Sequence, residues 1–205
     1  METHLTHNHV HRDDEASKMG MWLFLFTELL LFGGLFLVFS IYRYMNHEAF
    51  VKGGHELDIF IGTLNTIILI TSSMTIAVSI AAMQQNKKKL AIGLMLLTVA
   101  LALAFMVNKY FEWSAKYHHG FMPGTDAFSA VPRGEALYFL LYFFMTGLHA
   151  LHVIAGSIFI IVVMVKVNKG HITHDNYMLH ENAGLYWHLV DIIWIFLFPL
   201  FYLVH

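Results

Sequence analysis

The sequence predicts an all-α membrane protein, a bundle of five transmembrane helices. Of its 205 residues, 58% are hydrophobic and only 13% are charged, whereas a soluble domain carries about 25% charged residues. The mean hydropathy is +0.60, and the apolar residues gather in runs that reach the roughly 20 residues needed to cross a bilayer. The net charge of −2 offers no basic surface for nucleic acid. The lack of cysteine excludes disulfides, thiolate metal centres and a cysteine nucleophile.

Residues 1–18 form a polar, histidine-rich tail before the first apolar run. They lack the apolar core of about 7–15 residues that a cleavable signal peptide needs, so we expect a short segment outside the membrane. Four of its histidines could bind a metal ion, but no carboxylate or cysteine framework fixes their geometry, and a solvated tail is the simpler interpretation. These histidines are His4, His7, His9 and His11.

Residues 19–205 are predicted to form one transmembrane domain. The five predicted spans are residues 19–42, 57–83, 90–113, 136–165 and 184–203. The connection at 84–89, QQNKKK, is so short that spans two and three must be antiparallel neighbours. We find no repeated half and no interrupted helix pair, which are the features that would indicate a transporter.

The distribution of lysine and arginine predicts a cytoplasmic N-terminus and a periplasmic C-terminus, because short cytoplasmic loops carry an excess of these residues. With this orientation the cytoplasmic set is Arg12, Lys18, Lys87, Lys88, Lys89, Lys166 and Lys169. The periplasmic set is Arg43, Lys52, Lys109, Lys116 and Arg133. The bias is mild and is strongest at the lysine run between spans two and three.

Several polar side chains lie inside the predicted spans, where an ionisable group costs at least ~2.5 kcal/mol and usually faces a partner. With a rise of 1.5 Å per residue, the one acid of the first span lies ~14 Å from the inner end of that span. With the predicted orientation the acids and histidines share one half of the bilayer, and a loop acid could join them. The predicted intramembrane polar network is Glu28, His149, His152, Glu181, His188 and Asp191.

Three interpretations of this network remain open at this stage. The polar groups could hydrogen-bond spans one, four and five together. Glu28 could take part in a proton relay, because buried carboxylates often titrate near neutral pH. Histidines could also ligate haem. His149 and His152 project from one face of the same helix, so a bis-histidine haem would need His188 opposite one of them.

Glycines in two of the spans are predicted to let helix backbones approach closely, as small residues do in membranes. They are Gly33 and Gly34 in span one and Gly147 and Gly156 in span four.

Four segments carry a family resemblance. They read KMGMWLFLFTELLLFGGLF from Lys18, LNTIILITSSMTI from Leu64, TGLHALHVIAGS from Thr146 and YWHLVDIIWIFLFPLFYL from Tyr186. In this order and spacing the chain resembles subunit III of the haem–copper cytochrome oxidases. The resemblance extends from Lys18 to the C-terminus, and the five spans are similar to the short bacterial form of the family.

The resemblance implies a subunit of a respiratory terminal oxidase in the bacterial cytoplasmic membrane, with no active site of its own. It implies that haem and copper belong to a partner, subunit I, and that subunit I binds the chain directly, beside subunit II and the other subunits. It also implies structural phospholipid between the helices and support for proton uptake and proton pumping by subunit I. Glu28 matches the family's intramembrane carboxylate, which is known for its reactivity toward carbodiimide.

One position departs from the family pattern. Many members carry the tripeptide SEY near the end of the third of these helices, whereas this chain reads NKYFEW, with Lys109 in place of the glutamate. Glu112 could replace that acid. The resemblance covers both cytochrome c and quinol oxidases, and related subunits accompany nitric oxide reductases and alternative complex III. An independent di-haem membrane cytochrome is the alternative from another class.

The predicted topology can be tested with reporter fusions. A reporter at the C-terminus should report a periplasmic location, because five spans carry a cytoplasmic N-terminus to the opposite side. A reporter in the loop at 84–89 should report a cytoplasmic location. A cytoplasmic signal from the C-terminal fusion would contradict the topology and the shared depth of the polar side chains.

Overall fold

A computed structural model describes residues 14–174 and 176–203 of the chain. These residues form α1 (Asp14–Met45), α2 (His47–His55), α3 (Ile59–Gln84), α4 (Lys88–His118), a 3-10 helix (Asp126–Ala130), α5 (Arg133–Asn168) and α6 (Met178–Tyr202). Five of these helices, α1, α3, α4, α5 and α6, are long and apolar enough to cross a membrane. The predicted all-α bundle with five spans is therefore confirmed. The histidines His4, His7, His9 and His11 lie outside the described residues.

The helices extend past the apolar runs that predicted them. α1 begins at Asp14, within the predicted tail, and α6 begins at Met178, ahead of the predicted start at 184. α4 continues to His118, past the predicted end at 113. Hydropathy marks only the segment that fits the hydrocarbon layer, whereas a helix continues for as long as its backbone hydrogen bonds are made.

Local signals fix two of the turns. Asp58 caps α3, because its carboxylate accepts a hydrogen bond of 2.8 Å from the backbone N–H of Phe60. Asn86 lies between α3 and α4 with φ 58°, a left-handed conformation that asparagine tolerates better than most residues. The chain therefore reverses within a few residues, as the short connection predicted.

Two hydrogen bonds show that α3 and α4 are antiparallel neighbours. Asn108 on α4 donates to the side-chain oxygen of Asn65 on α3 at 2.9 Å. The hydroxyls of Thr75 and Thr98 lie 2.7 Å apart. The partner of each residue falls earlier on α4 as the position on α3 advances, which is the pattern of an antiparallel pair.

A ladder of side-chain hydrogen bonds joins α3 to α6. Each rung pairs a hydroxyl of α3 with a ring nitrogen of α6, and the rungs recur about every seven residues, the spacing that keeps a contact on one face of two packed helices. The rungs are Thr66 with Trp194 (3.0 Å), Ser72 with Trp187 (3.0 Å), Ser73 with His188 (2.7 Å) and Ser79 with His180 (2.8 Å).

The hydroxyls of the ladder satisfy two groups at once. Thr66 donates its proton to the carbonyl of Gly62 at 2.9 Å, which leaves its oxygen to accept from the indole N–H of Trp194. Ser72 donates in the same way to the carbonyl of Leu69 at 2.7 Å and accepts from Trp187. The indole N–H groups of Trp187 and Trp194 therefore lie between two apolar helices with their hydrogen bonds made.

The predicted packing glycines have two different environments. A Cβ added at Gly156 would lie 2.9 Å from the Trp187 ring, so this glycine does admit a large side chain of α6. A Cβ at Gly147 would meet only Trp113, at 3.9 Å. Gly33 and Gly34 have no such neighbour within 4 Å in the described chain, and their predicted packing role inside the bundle is wrong. They lie on the exposed side of α1, whereas the buried side is formed by larger residues.

The first helix lies at the edge of the bundle. Leu25, Phe32 and Phe39 are buried and repeat every seven residues, which places one narrow stripe of α1 against the core. Most of its other large residues are exposed, including Leu30, which is 60% exposed. α1 is therefore joined to α5 and α6 along a limited surface, and each polar contact on that stripe matters for its position.

Candidate functional site

Glu28 and His152 form a hydrogen-bonded pair between α1 and α5. The Nε2 atom of His152 lies 2.9 Å from the Oε2 atom of Glu28. Both side chains are largely covered, with 15% of His152 and 16% of Glu28 exposed. The pair lies on the narrow contact stripe of α1 and ties the peripheral helix to the bundle.

The second nitrogen of His152 determines how the pair holds its proton. Nδ1 lies 2.8 Å from the carbonyl oxygen of Leu148. A carbonyl can only accept, so Nδ1 carries a hydrogen. A neutral His152 therefore presents an unprotonated Nε2 to Glu28, and the carboxyl must donate. The other arrangement is an imidazolium beside a carboxylate. In both cases one proton is shared and the pair is neutral overall, which suits a low-dielectric site.

Aromatic side chains surround this pair. The rings of Phe32 on α1 and His152 pack in a T-shaped arrangement, with centroids 5.4 Å apart and planes at 71°. The hydroxyl of Tyr186 on α6 donates to the backbone carbonyl of His152 at 3.3 Å. Contacts from α1, α5 and α6 thus fix the imidazole and exclude most other polar groups from it.

His149 lies in a different environment from His152, although the two residues are one helical turn apart. It is fully buried and packs against Trp194, with centroids 5.3 Å apart, and in a T-shaped arrangement with Phe105. Neither ring nitrogen has a hydrogen-bond partner among the described residues. His149 therefore acts in this chain as an aromatic core residue between α4, α5 and α6.

The remaining members of the predicted network lie apart from the pair. His188 bonds to Ser73 of α3. Asp191 is 3% exposed, and its carboxylate oxygens have no hydrogen-bond partner in the described chain. Glu181 lies 3.9 Å from Lys18 at the end of the bundle where α1 begins.

The prediction of one connected network therefore differs from the structure. Among the six residues, the described hydrogen bonds bring together only Glu28 and His152. A hydrogen bond does join a histidine of span four to span five, but through the backbone: the carbonyl of His152 accepts from the Tyr186 hydroxyl of α6 at 3.3 Å. The described hydrogen bonds of the His149 and His152 rings reach neither α6 nor Glu181. Depth along a helix places residues in one layer of the bilayer, but their direction around the helix axis decides which neighbour they meet.

The arrangement of the histidines does not favour a haem site. His152 faces α1 and His188 faces α3, so their rings are engaged on different sides of the bundle. Among the described residues, no group of three or more histidine, aspartate or glutamate side chains could hold a metal ion.

A second polar cluster, which the sequence analysis did not predict, joins α4, α5 and α6. Lys109 is 1% exposed, and its ammonium donates to Glu112 at 3.2 Å and to the hydroxyls of Tyr142 and Tyr202, both at 3.0 Å. Both tyrosine hydroxyls in turn donate to the other oxygen of Glu112.

The donors and acceptors of this cluster balance. An ammonium has three protons to donate, and Lys109 uses them on Glu112, Tyr142 and Tyr202. The ring of Trp194 adds a cation–π contact, with the ammonium 5.2 Å from its centroid. A buried charge pair is stable only when such partners replace water, so the four side chains act as a unit.

Comparison with known proteins identifies the family. The family model for cytochrome c oxidase subunit III matches residues 1–205, the whole chain. The chain belongs to this family. It is a subunit III of a haem–copper oxidase and a multi-pass protein of the bacterial inner membrane.

Curated relatives agree with this assignment. The chain is 31% identical over 198 residues to cytochrome c oxidase subunit 3 of Thermostichus vulcanus, covering 96% of this chain and 92% of that protein. It is 28% identical over 197 residues to cytochrome bo(3) ubiquinol oxidase subunit 3 of Pseudomonas putida, covering 95% and 88%. It also matches heme-copper oxidase subunit I+III of Aeropyrum pernix, with 31% identity over 91% of this chain and 22% of that longer protein.

The Lys109 cluster explains the departure of this subunit III from the family pattern. Glu112 does not stand alone in place of the usual glutamate, because Lys109 and Glu112 neutralise each other inside the bundle. The two tyrosines come from α5 and α6. The changed position therefore belongs to a helix–helix contact rather than to an exposed outer surface.

We expect Lys109→Met to destabilise this subunit by about 3–5 kcal/mol, because it leaves the Glu112 carboxylate buried without its counter-charge. The measurement is thermal unfolding of the purified chain in mild detergent. The double variant Lys109→Met/Glu112→Gln should recover most of the loss, because a neutral amide can still accept from Tyr142 and Tyr202. Equal stability of the single and double variants would contradict the paired arrangement.

Proposed function

We propose that this subunit III is an accessory subunit that holds and protects subunit I and performs no redox step. The observation that carries the proposal is the position of Glu28. The one acid of the first span is hydrogen-bonded to His152 at a helix–helix contact. Only 16% of the Glu28 side chain is exposed, and its partner His152 is packed against Phe32 and bonded through its backbone carbonyl to Tyr186.

We further propose that the chain binds subunit I directly and assembles with subunit II and the other subunits of the oxidase. The relative named heme-copper oxidase subunit I+III supports the first contact, because its name joins the two subunits in one protein. In the proposed complex subunit I holds haem and copper, and this chain binds neither. The N-terminus is cytoplasmic and the C-terminus is periplasmic.

We also propose that the chain holds structural phospholipid, and a cavity near the start of α6 supports this role. The cavity has a volume of about 740 Å³ and lies between the start of α1, the end of α5 and the loop that leads to α6. Lys166 and Lys169 supply cationic groups and His171 a polar ring, while Ile161 and Val162 supply an apolar wall. A basic pocket with an apolar wall at the cytoplasmic side suits an anionic lipid head group.

In the proposed role, the lipid and the Glu28–His152 pair act on the same part of the subunit. The pair fixes α1 against α5 at Glu28. Ser17, near the start of α1, lines the proposed lipid cavity. A displaced α1 would therefore open both contacts. This link explains how the subunit could sustain proton uptake and proton pumping by subunit I without conducting the oxidase chemistry itself.

We propose that the electron donor is selected outside this chain. Relatives named as cytochrome c oxidase and ubiquinol oxidase subunits match it over nearly the same length, with 31% and 28% identity. The contacts to which we assign a function either join helices of this chain or line the proposed lipid cavity. The choice between cytochrome c and quinol then belongs to other subunits.

A Glu28→Gln variant of the assembled oxidase should keep its haem spectrum and most of its initial oxygen consumption. The amide can donate to the unprotonated Nε2 of His152, so the helix contact survives without a titratable proton. Glu28→Ala removes the contact and leaves His152 unpaired, so we expect faster inactivation during turnover than in the Gln variant. The measurement compares initial rate, inactivation rate and proton pumping in the same preparation.

Lys166→Gln provides a second comparison, because it removes one cationic group from the lipid cavity but leaves the Glu28–His152 pair intact. This variant should lose bound lipid phosphorus and also inactivate faster, at a normal initial rate. Complete loss of the initial rate in a fully assembled Glu28→Gln oxidase would place Glu28 in the chemistry. That result would contradict the accessory role.

A further inference from the structure

A second space, between α1, α3 and α6, differs from the basic cavity. It has a volume of about 400 Å³ and begins beside the Lys18–Glu181 pair, at the end of the bundle where α1 starts. Ala77 and Ile80 of α3 and Leu185 of α6 form its sides. We call this space the α1–α3–α6 crevice.

The polar groups of the crevice form a series along α6. Glu181 and Asn182 lie in its first turn, and His188 lies about two turns further into the span. Lys18 faces them from α1. Three of these four side chains carry or can carry charge, which is unusual for a wall that only acyl chains would touch.

Hydrogen bonding leaves several atoms of this series without protein partners. The amide nitrogen of Asn182 donates to Ser17 at 3.2 Å, but its buried oxygen has no partner in the described chain. His188 uses Nδ1 on Ser73, so its other ring nitrogen is left for another partner. Asp191, one turn beyond His188 on α6, is 3% exposed and does not line the crevice.

Water satisfies these atoms better than any other occupant. An unpartnered buried polar group costs about 1–3 kcal/mol, whereas a cavity needs only about 10–15 Å³ of probe volume to hold one water molecule with polar partners. The crevice is far larger than this limit and provides polar atoms at both ends. An acyl chain would leave every one of them unmet.

We infer that the α1–α3–α6 crevice is filled with water and gives solvent protons access from the Lys18–Glu181 pair to His188 in the interior of the span. The occupant is water, whose protons exchange with the bulk solvent. Lipid, which suits the basic cavity, does not fill this space. His188 is then a solvated imidazole, one helical turn from the buried carboxyl group of Asp191.

Thiol labelling of the assembled oxidase tests the inference, because this subunit has no cysteine of its own. Ala77→Cys places a small thiol on the crevice wall. Val78→Cys is the matched control, since Val78 is the next residue, is 41% exposed and does not line the crevice. Gln85→Cys lies in the short turn between α3 and α4, at the end of the bundle where the crevice opens. Its labelling rate gives the reference for a thiol fully accessible to the probe from that side of the membrane.

The probe is a charged, membrane-impermeant methanethiosulfonate, which reacts with the thiolate. Thiolates form in water but are suppressed in apolar surroundings, so Ala77→Cys should react about tenfold or more faster than Val78→Cys. It should react from the same face of oriented vesicles as Gln85→Cys. Labelling is read by mass on the subunit III band, in preparations with a normal haem spectrum.

Leu185→Cys, on the α6 wall, is the second variant if Ala77→Cys does not assemble. It should also react faster than Val78→Cys. Equal, slow labelling of the crevice thiol and Val78→Cys would show an acyl chain in the crevice and would overturn the inference. Labelling from the face opposite to Gln85→Cys would also overturn it.

Discussion

The structure depends on one constraint: a polar group placed between lipid-facing helices is costly unless a neighbouring helix supplies its partner, and His149 is an exception that packs as an aromatic ring instead. Water is absent from the hydrocarbon layer, so an unmet donor or acceptor there is costly. The hydroxyl–ring ladder meets this requirement between α3 and α6. The Lys109 cluster meets it between α4, α5 and α6, and the Glu28–His152 pair meets it between α1 and α5. The polar contacts thus fix which helices are neighbours, and the apolar residues fill the space between them.

The fold could be predicted from the sequence because hydropathy depends only on composition along the chain. The short turn after Gln84 predicted the antiparallel pair correctly for the same local reason. The partners inside the candidate site could not be predicted in this way. Glu28 and His152 were placed at similar depth, but so was His188, which faces Ser73 instead. The rotation of each helix about its axis depends on packing between distant segments, and no single segment contains that information.

Two features that were not predicted do have signals in the sequence. Thr66, Ser72, Ser73 and Ser79 recur about every seven residues on an apolar helix, and His180, Trp187, His188 and Trp194 recur with the same spacing on α6. Matching periods of hydroxyls and rings favour two helices that face each other. Lys109 and Glu112, three residues apart, could also have been recognised as an ion pair on one helix face. Both tyrosine partners come from distant parts of the chain, and only the structure identifies them.

The central claim is that Glu28 and His152 form one proton-sharing unit that fixes the peripheral helix α1. A double-mutant cycle tests it most directly, with Glu28→Leu, His152→Phe and the combined variant compared by the free energy of unfolding in mild detergent. Each single variant leaves one buried polar partner unmet, while the combined variant removes both. The account predicts that the combined loss is smaller than the sum of the single losses by roughly 0.5–2 kcal/mol, in the range measured for membrane hydrogen bonds and coupled pairs. Losses that add within about 0.3–0.5 kcal/mol, as independent sites do, would contradict it.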